Sequence, residues 1–132
     1  MGRTIRVKES VQIARPPAEV WSAIADYGFD REWRNGLTDM TPDPPGPPAL
    51  GTKVHEVVRS SRREYVADTE VTEVDPGVSY RFAGSGTIGG LQGGRAVRAA
   101  EARTAAVFTY TIELRPTGGM RLKLRALLED DR

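Results

Sequence analysis

Glu56 is the residue of this chain best placed to do chemistry. The stretch "TKVHEVV" gives Val54, Glu56 and Val58 the same parity, so an extended strand points all three side chains to one face. A carboxylate on an apolar face is poorly solvated, which suits it to proton transfer or to binding a ligand hydroxyl. The sequence therefore offers Glu56 as a candidate catalytic acid or base. The plainer alternative is that Glu56 pairs with an arginine such as Arg98 or reaches solvent at a rim.

Other common catalytic groups are scarce in the chain. It has no cysteine, which excludes thiol catalysis, thiolate metal sites and disulfides, and His55 is its only imidazole. His55 has the opposite parity to Glu56, so we expect it to face water. The sequence therefore predicts neither a bound metal nor a cofactor.

Two motifs are similar to phosphate-binding sites. "GSGTIG", residues 84–89, spells the dinucleotide-binding pattern, but that mechanism needs a helix directly after the third glycine, and here further glycines follow. We interpret the segment as a mobile loop near a cavity. "RSSRR", residues 59–63, has no aromatic neighbours, and we expect a solvated hairpin turn.

Length and charge limit what else the chain can do. Its 132 residues, 39% of them hydrophobic, suffice for one domain spanning residues 1–132. With 19 Lys and Arg against 18 Asp and Glu, no field of one sign favours nucleic acid. Without a signal-peptide pattern or an apolar run of roughly 18 residues, the sequence predicts a cytoplasmic protein with no membrane span, either monomer or homodimer.

The N-terminal part reads as one strand followed by two short helices. "TIRVKESVQIA" alternates as a half-buried strand does, and a helix is expected from about Pro17 because proline fits the first helical turn. Gly28 is expected to stop this helix. Asp30 is then predicted to cap a second helical turn that carries Trp33.

The remainder alternates mostly as strands do. "TPDPPGPPALG" is predicted to be an extended surface loop, followed by a hairpin around "RSSRR", a turn at residues 75–77 and the strands "VSYRF" and "AVFTYTIELR". "GGMRLKLRALLEDD" has a helical apolar stripe. Residues 93–106 have the propensity of a helix but the position of a hairpin, and the pattern alone leaves both open.

In this order the motifs resemble the START-like (SRPBCC) superfamily, and within it the bacterial polyketide cyclase/dehydrase and lipid-transport group. The resemblance rests on "PPAEVWSAIADYGFDREW", "LGTKVHEV", "VTEVDPGVSYRF" and "FTYTIELRPTGGM". It implies an α+β helix-grip fold, in which a curved antiparallel sheet wraps a C-terminal helix and leaves an apolar cavity between them. On this pattern residues 93–106 form a strand pair. The family has no shared catalytic motif, so the resemblance assigns no reaction.

Strand alternation and helical spacing then predict which side chains line such a cavity. Trp21 lies on the helical stripe and is expected in the core, whereas Trp33 could equally cover the cavity mouth. The candidate ligand-binding residues are Trp33, Val54, Val58, Tyr80, Phe82, Phe108, Tyr110, Leu124 and Leu128.

Three functions of different classes fit this reading. The first is binding of a hydrophobic, lipid- or polyketide-like small molecule. The second is a cyclase or dehydratase that uses Glu56 with Tyr80 or Tyr110 to move protons. The third is a protein-interaction module, which would favour a large exposed apolar patch. We place binding first, because the sequence offers only one inward carboxylate and no acid–base pair.

Overall fold

The computed structural model describes residues 4–116 and folds them into one antiparallel sheet with short helices on one face. Two short helices, with a 3-10 turn at Tyr27–Phe29 between them, follow the first strand. The elements are β1 Ile5–Ile13, α1 Pro17–Ile24, α2 Asp30–Trp33, β2 Leu37–Asp43, β3 Lys53–Ser60, β4 Arg63–Asp75, β5 Ser79–Gly86, β6 Gly89–Ala99 and β7 Ala106–Pro116.

The seven strands are ordered β1-β7-β6-β5-β4-β3-β2. Strands β2 to β7 run as an antiparallel meander, and β1 pairs with the last strand, so β1 and β2 form the two edges. The sheet is curved, which confirms the predicted α+β helix-grip class. The C-terminal segment that supplies Leu124 and Leu128 lies outside the described residues.

Helix α1 begins at Pro17, as predicted, and its apolar stripe builds the core. Val20 and Ile24 are buried against Val97, Ala106 and Phe108 of β6 and β7. Trp21 is partly buried against the same cluster, in agreement with the core placement expected for it. Helix α1 therefore anchors the helical layer to β6 and β7.

The end of α1 was predicted wrongly. The helix stops at Ile24 rather than at Gly28. Asp26 takes an extended backbone conformation and its carboxylate accepts a hydrogen bond from the Gly28 amide, which starts the 3-10 turn. An Asx side chain that bonds the backbone two residues ahead favours such a turn over a longer helix.

Strand β2 is a feature that the sequence reading missed. The proline-rich segment was predicted to be loop from Thr41 onward, but Leu37–Asp43 pairs with β3, and Pro42 lies opposite Val54. Proline is tolerated here because β2 is an edge strand, so one side of its backbone has no ladder to complete. The loop begins only after Asp43.

The glycine-rich stretch is also strand, which corrects the predicted mobile loop at residues 84–89. β5 continues to Gly86 and β6 begins at Gly89. At Gly93 a Cβ atom would meet the Thr111 carbonyl oxygen, so glycine allows the backbones to come close. Residues 93–106 contribute to two strands, β6 and β7, rather than a helix, which confirms the hairpin alternative.

The "RSSRR" segment forms the predicted hairpin. Ser61 and Arg62 turn with φ values of 51° and 66° between β3 and β4.

Within residues 4–116 no helix is long and apolar enough to cross a membrane.

Candidate functional site

The inner face of the sheet, defined as the face that carries α1 and α2, holds six of the predicted lining residues, although they line three different cavities. Cross-strand pairing places Tyr80 beside Arg95, and Arg95 beside Tyr110, on this face. Residues two apart along a strand share its face. The predicted set on this face is Val54 and Val58 of β3, Tyr80 and Phe82 of β5, and Phe108 and Tyr110 of β7.

Trp33 joins this set from the helical layer. Its ring lies edge-on to Phe108 and Tyr110, with ring centroids 5.8 and 6.2 Å apart, and the residue is 39% exposed. Trp33 therefore packs against the two aromatic rings on one side and is exposed to solvent on the other. Leu124 and Leu128, the other two predicted lining residues, lie outside the described part of the chain.

A first cavity of about 620 Å³ lies between β1, β7 and the helical layer. Most of its described lining is apolar or aromatic, and its polar and charged residues come from the middle of β1, the link that follows it and the first turn of α1. The described lining comprises Val7, Val11, Ile13, Val20, Ala23, Ile24, Phe29, Trp33, Phe108 and Tyr110, together with Glu9, Ser10, Arg15 and Glu19.

Glu56 points to the inner face, as its parity predicted, but it does so as half of an ion pair. Its Oε2 atom lies 2.7 Å from Nη1 of Arg34, and the two side chains are 17% and 18% exposed. The suggested partner Arg98 is wrong, since that residue is exposed on β6. Arg34, just after α2, binds Glu56 instead, since α2 packs on β2 and β2 pairs with β3.

Arg34 also connects Glu56 to a second carboxylate. Its Nη1 atom lies 3.3 Å from Asp30 Oδ2 and 3.8 Å from the sulfur of Met40. Burial opposes the positive charge, but the Glu56 carboxylate outweighs this effect, and the pKa of Arg34 lies above its usual value. Arg34 is therefore a permanent cation held between two acids.

Asp30 is the second correction at the site. The sequence predicted a helix cap, but Asp30 is the first residue of α2 and its side chain is completely buried. The carboxylate accepts hydrogen bonds from Arg95 Nη1 at 2.9 Å and Nη2 at 2.5 Å. This two-point geometry is the strong form of an arginine–carboxylate pair.

Arg95 lies at the centre of the inner face and is only 3% exposed. Its guanidinium carbon lies 5.0 Å from the ring centroid of Trp33, 5.4 Å from that of Tyr110 and 5.8 Å from that of Tyr80. Arg95 Nη1 also donates to the carbonyl of Ile24. The pair thus ties the end of α1, the start of α2 and β6 to one another.

The tyrosines around this pair remain protonated at neutral pH. Burial raises the pKa values of Tyr80 and Tyr110, although Arg95 works in the opposite direction at both. Burial opposes the charge of Arg95, but the hydrogen bonds and attraction of Asp30, together with the neighbouring tyrosines, outweigh it, and the pKa of Arg95 is raised. The polar cluster Asp30, Arg34, Glu56 and Arg95 therefore carries two positive and two negative groups and has no net charge.

Two further spaces adjoin this polar cluster. A small central cavity of about 20 Å³ lies among Arg34, Glu56, Tyr80, Arg95 and Tyr110. A second cavity of about 580 Å³ lies beyond it. Its described lining includes Arg34, Glu56, Val58, Tyr65, Leu91, Ile112 and Leu114.

His55 lies away from these cavities on the outer face, as expected. It is exposed, and its Nδ1 atom lies 2.7 Å from Asp68 Oδ1. That hydrogen bond raises the pKa of His55. Within residues 4–116 no cluster of three or more histidine, aspartate or glutamate side chains is arranged to hold a metal ion.

Sequence reasoning missed three members of the polar cluster: Asp30 as an ion-pair partner, Arg34 and Arg95. A usable signal existed for Arg95, since it shares its parity with Val97 in a strand whose inward positions are otherwise apolar or glycine. Asp30 and Arg34 gave no comparable signal, because an aspartate before a short helix is an ordinary cap. Their partners on β6 and β3 are fixed only by the fold.

A family described as polyketide cyclase/dehydrase and lipid transport matches residues 4–131 of the chain. No match was found among curated protein sequences.

Several solved structures are similar in fold. The Zhui aromatase/cyclase from Streptomyces sp. R1128 aligns with a TM-score of 0.76 and 14% identity over 97% of this chain and 86% of that one. A START superfamily protein from Mycobacterium smegmatis aligns with a TM-score of 0.69 and 12% identity, over 95% and 89% of the two chains. Norcoclaurine synthase from Thalictrum flavum gives 0.67 and 10%, over 96% and 85%. At such low identity the likeness extends to the fold alone.

Proposed function

The chain belongs to the polyketide cyclase/dehydrase and lipid-transport family, and we propose that it binds a hydrophobic small molecule, lipid- or polyketide-like, on the inner face of its sheet. The observation that carries this proposal is the first cavity. Its volume of about 620 Å³ and its mostly apolar and aromatic described lining match the size and character of small-molecule sites in general.

The charge balance of the site favours an uncharged ligand. Asp30 and Glu56 are matched by Arg34 and Arg95 through contacts of 2.5 to 3.3 Å. A charged ligand group that reached this polar cluster would have to displace one of these pairs and leave a buried group uncompensated, which is costly. An apolar ligand that packs against Phe108, Tyr110 and Trp33 disturbs none of them.

Two measurements on the unmodified protein test this proposal. Native mass spectrometry of the purified protein is expected to reveal a co-purified small molecule. Titration with an environment-sensitive apolar dye is expected to give saturable binding, because transfer of the dye into an apolar cavity removes its surface from water. Absence of both a co-purified molecule and saturable dye binding would contradict the proposal.

A second candidate, a polyketide cyclase- or dehydratase-type enzyme, is favoured by one specific observation. The only inward carboxylate of β3, Glu56, lies with Arg34 beside a small cavity that Tyr80 and Tyr110 also line. A carboxylate and phenols placed around one space can exchange protons with a bound substrate. In this candidate Glu56 accepts or donates the proton, with Tyr80 or Tyr110 as its counterpart.

Glu56→Gln separates the two candidates. Loss of the carboxylate removes the 2.7 Å partner of Arg34, so the free energy of unfolding is expected to fall by about 1–2 kcal/mol, less than for a fully buried pair because both side chains are partly solvated. Chemical denaturation measures this change. A binding protein keeps its dye affinity, and an enzyme keeps binding but loses turnover of its substrate.

Glu64→Gln is the matched control for this experiment, since Glu64 is exposed on the neighbouring strand β4. It is expected to change neither stability nor binding. If Glu56→Gln behaves like Glu64→Gln in stability, the Arg34 ion pair does not contribute as described. If dye binding is lost with no loss of structure, Glu56 contacts the ligand directly.

A further inference from the structure

The second cavity contains a buried hydroxyl group that lacks a partner within residues 4–116. Tyr65, on β4, is 9% exposed, and its Oη atom makes no hydrogen bond there. Buried hydroxyl groups in folded proteins are almost always hydrogen-bonded, because an unsatisfied one has lost water and gained nothing. An exception that lines a cavity is therefore a candidate contact for a ligand.

The second cavity follows the first along the same face of β7. Phe108 and Tyr110 line the first cavity, whereas Ile112 and Leu114 line the second. Four inward positions at about 6.6 Å per residue pair place Phe108 and Leu114 about 20 Å apart. An elongated molecule that lies along β7 contacts both cavities.

The two cavities differ in the polar groups that they present near β7. The first presents mainly aromatic and aliphatic side chains there, with Glu9 of β1 as the cross-strand partner of Tyr110. The polar lining of the second includes Asn35, Arg59 and Ser60 at its exposed side. Its other polar residues are Tyr65, whose hydroxyl has no hydrogen bond among the described residues, Arg34 and Glu56. Arg34 and Glu56 bind each other at 2.7 Å, so of these three groups the hydroxyl is the one that can bind a ligand without a broken ion pair.

We propose that the second cavity receives an oxygen-bearing end of the ligand and that the Tyr65 hydroxyl donates a hydrogen bond to that oxygen. The preferred ligand is then an elongated molecule with an apolar body in the first cavity and a neutral carbonyl, ether or hydroxyl oxygen at the end that enters the second. This inference rests on the proposed binding function and adds the chemical class of the ligand. A carboxylate end is disfavoured, because Arg34 is already shared by Asp30 and Glu56, and Arg59, the other arginine of the lining, is exposed and has the outward parity of β3.

A matched pair of probes tests the inference. Heptylbenzene and 7-phenylheptan-2-one have the same carbon skeleton and differ by one ketone oxygen, and their affinities are measured by displacement of the apolar dye. In the bound state the ketone oxygen is expected to accept one hydrogen bond from the protein, which heptylbenzene cannot do. Tyr65→Phe is expected to weaken ketone binding by about 3- to 10-fold and to leave heptylbenzene binding within 2-fold.

Tyr27→Phe provides the matched control. Tyr27 is buried, its hydroxyl also lacks a hydrogen bond among the described residues, and it does not line the second cavity. It is expected to leave the affinities of both probes unchanged. Tyr65→Phe itself is expected to fold with equal or higher stability, because it removes an unsatisfied polar group.

The outcomes separate this inference from the binding function. If neither probe displaces the dye from the unmodified protein, the proposed function fails. If heptylbenzene binds but Tyr65→Phe weakens both probes equally or neither, the assignment of Tyr65 is overturned while the binding function stands. Equal ketone losses for Tyr65→Phe and Tyr27→Phe would also overturn it.

Discussion

Asp30→Ala is expected to lower the free energy of unfolding by about 3–5 kcal/mol, the usual cost of removing one partner from a buried ion pair. Asp30 is completely buried, and its carboxylate binds both terminal nitrogens of Arg95 and one of Arg34. Without it, Arg95 keeps only the carbonyl of Ile24 as a hydrogen-bond acceptor among the described residues. The loss is a large fraction of the total stability of a domain of this size, and urea denaturation measures it.

A double-mutant cycle distinguishes the lost pair from a general packing defect. Arg95→Met fills similar volume without a charge, so the double variant Asp30→Ala/Arg95→Met leaves no uncompensated ion behind. It is expected to be less destabilised than the sum of the two single variants. Additive losses, or a loss for Asp30→Ala no larger than that for exposed Glu64→Ala, would contradict the ion-pair account.

Ala23→Phe is expected to reduce the affinity for an apolar dye by about 5-fold or more, because crowding a side chain and a ligand into the same apolar space costs about 1–3 kcal/mol. Ala23 lies on α1 and lines the first cavity. A phenyl group at this position occupies space that the ligand needs, whereas the helix accepts phenylalanine at a small cost in propensity. Dye titration of the folded variant measures the effect.

Ala18→Phe, on the same helix, is the control for this prediction. Ala18 is exposed and does not line the first cavity. The same substitution there is expected to leave dye affinity within 2-fold. Equal affinities for Ala23→Phe and the unmodified protein would move the binding site away from the first cavity.

Local chemistry was sufficient to predict the elements whose sequence agrees with their place in the fold. Pro17 and the stripe of Val20 and Ile24 predicted α1, because proline suits a first turn and the stripe has helical spacing. The alternation of β3 and β7 predicted the inner face, including the inward direction of Glu56. Parity along a strand is fixed by backbone geometry, so it survives whatever the strand packs against.

Features that depend on long-range pairing were missed. Strand β2 was missed because it contains Pro42. Proline is tolerated in a strand only at an edge of the sheet, and the sequence does not show that β2 is an edge strand. The glycines of β5 and β6 were interpreted as a loop. Their actual role is to let neighbouring strands approach closely, which the sequence alone does not indicate. The partners of Asp30 and Glu56 were not predictable, because Arg95 is 65 residues from Asp30 and Arg34 is 22 from Glu56.

The most direct test of the central claim is an NMR map of backbone and methyl shifts during titration with 7-phenylheptan-2-one. The account predicts that the largest changes occur at the first cavity, at Val11, Val20 and Phe108. Residues of the outer face, represented by His55 and Asp68, are expected to stay unchanged. Largest changes at the outer face, or none at all at saturating probe, would contradict binding on the inner face of the sheet.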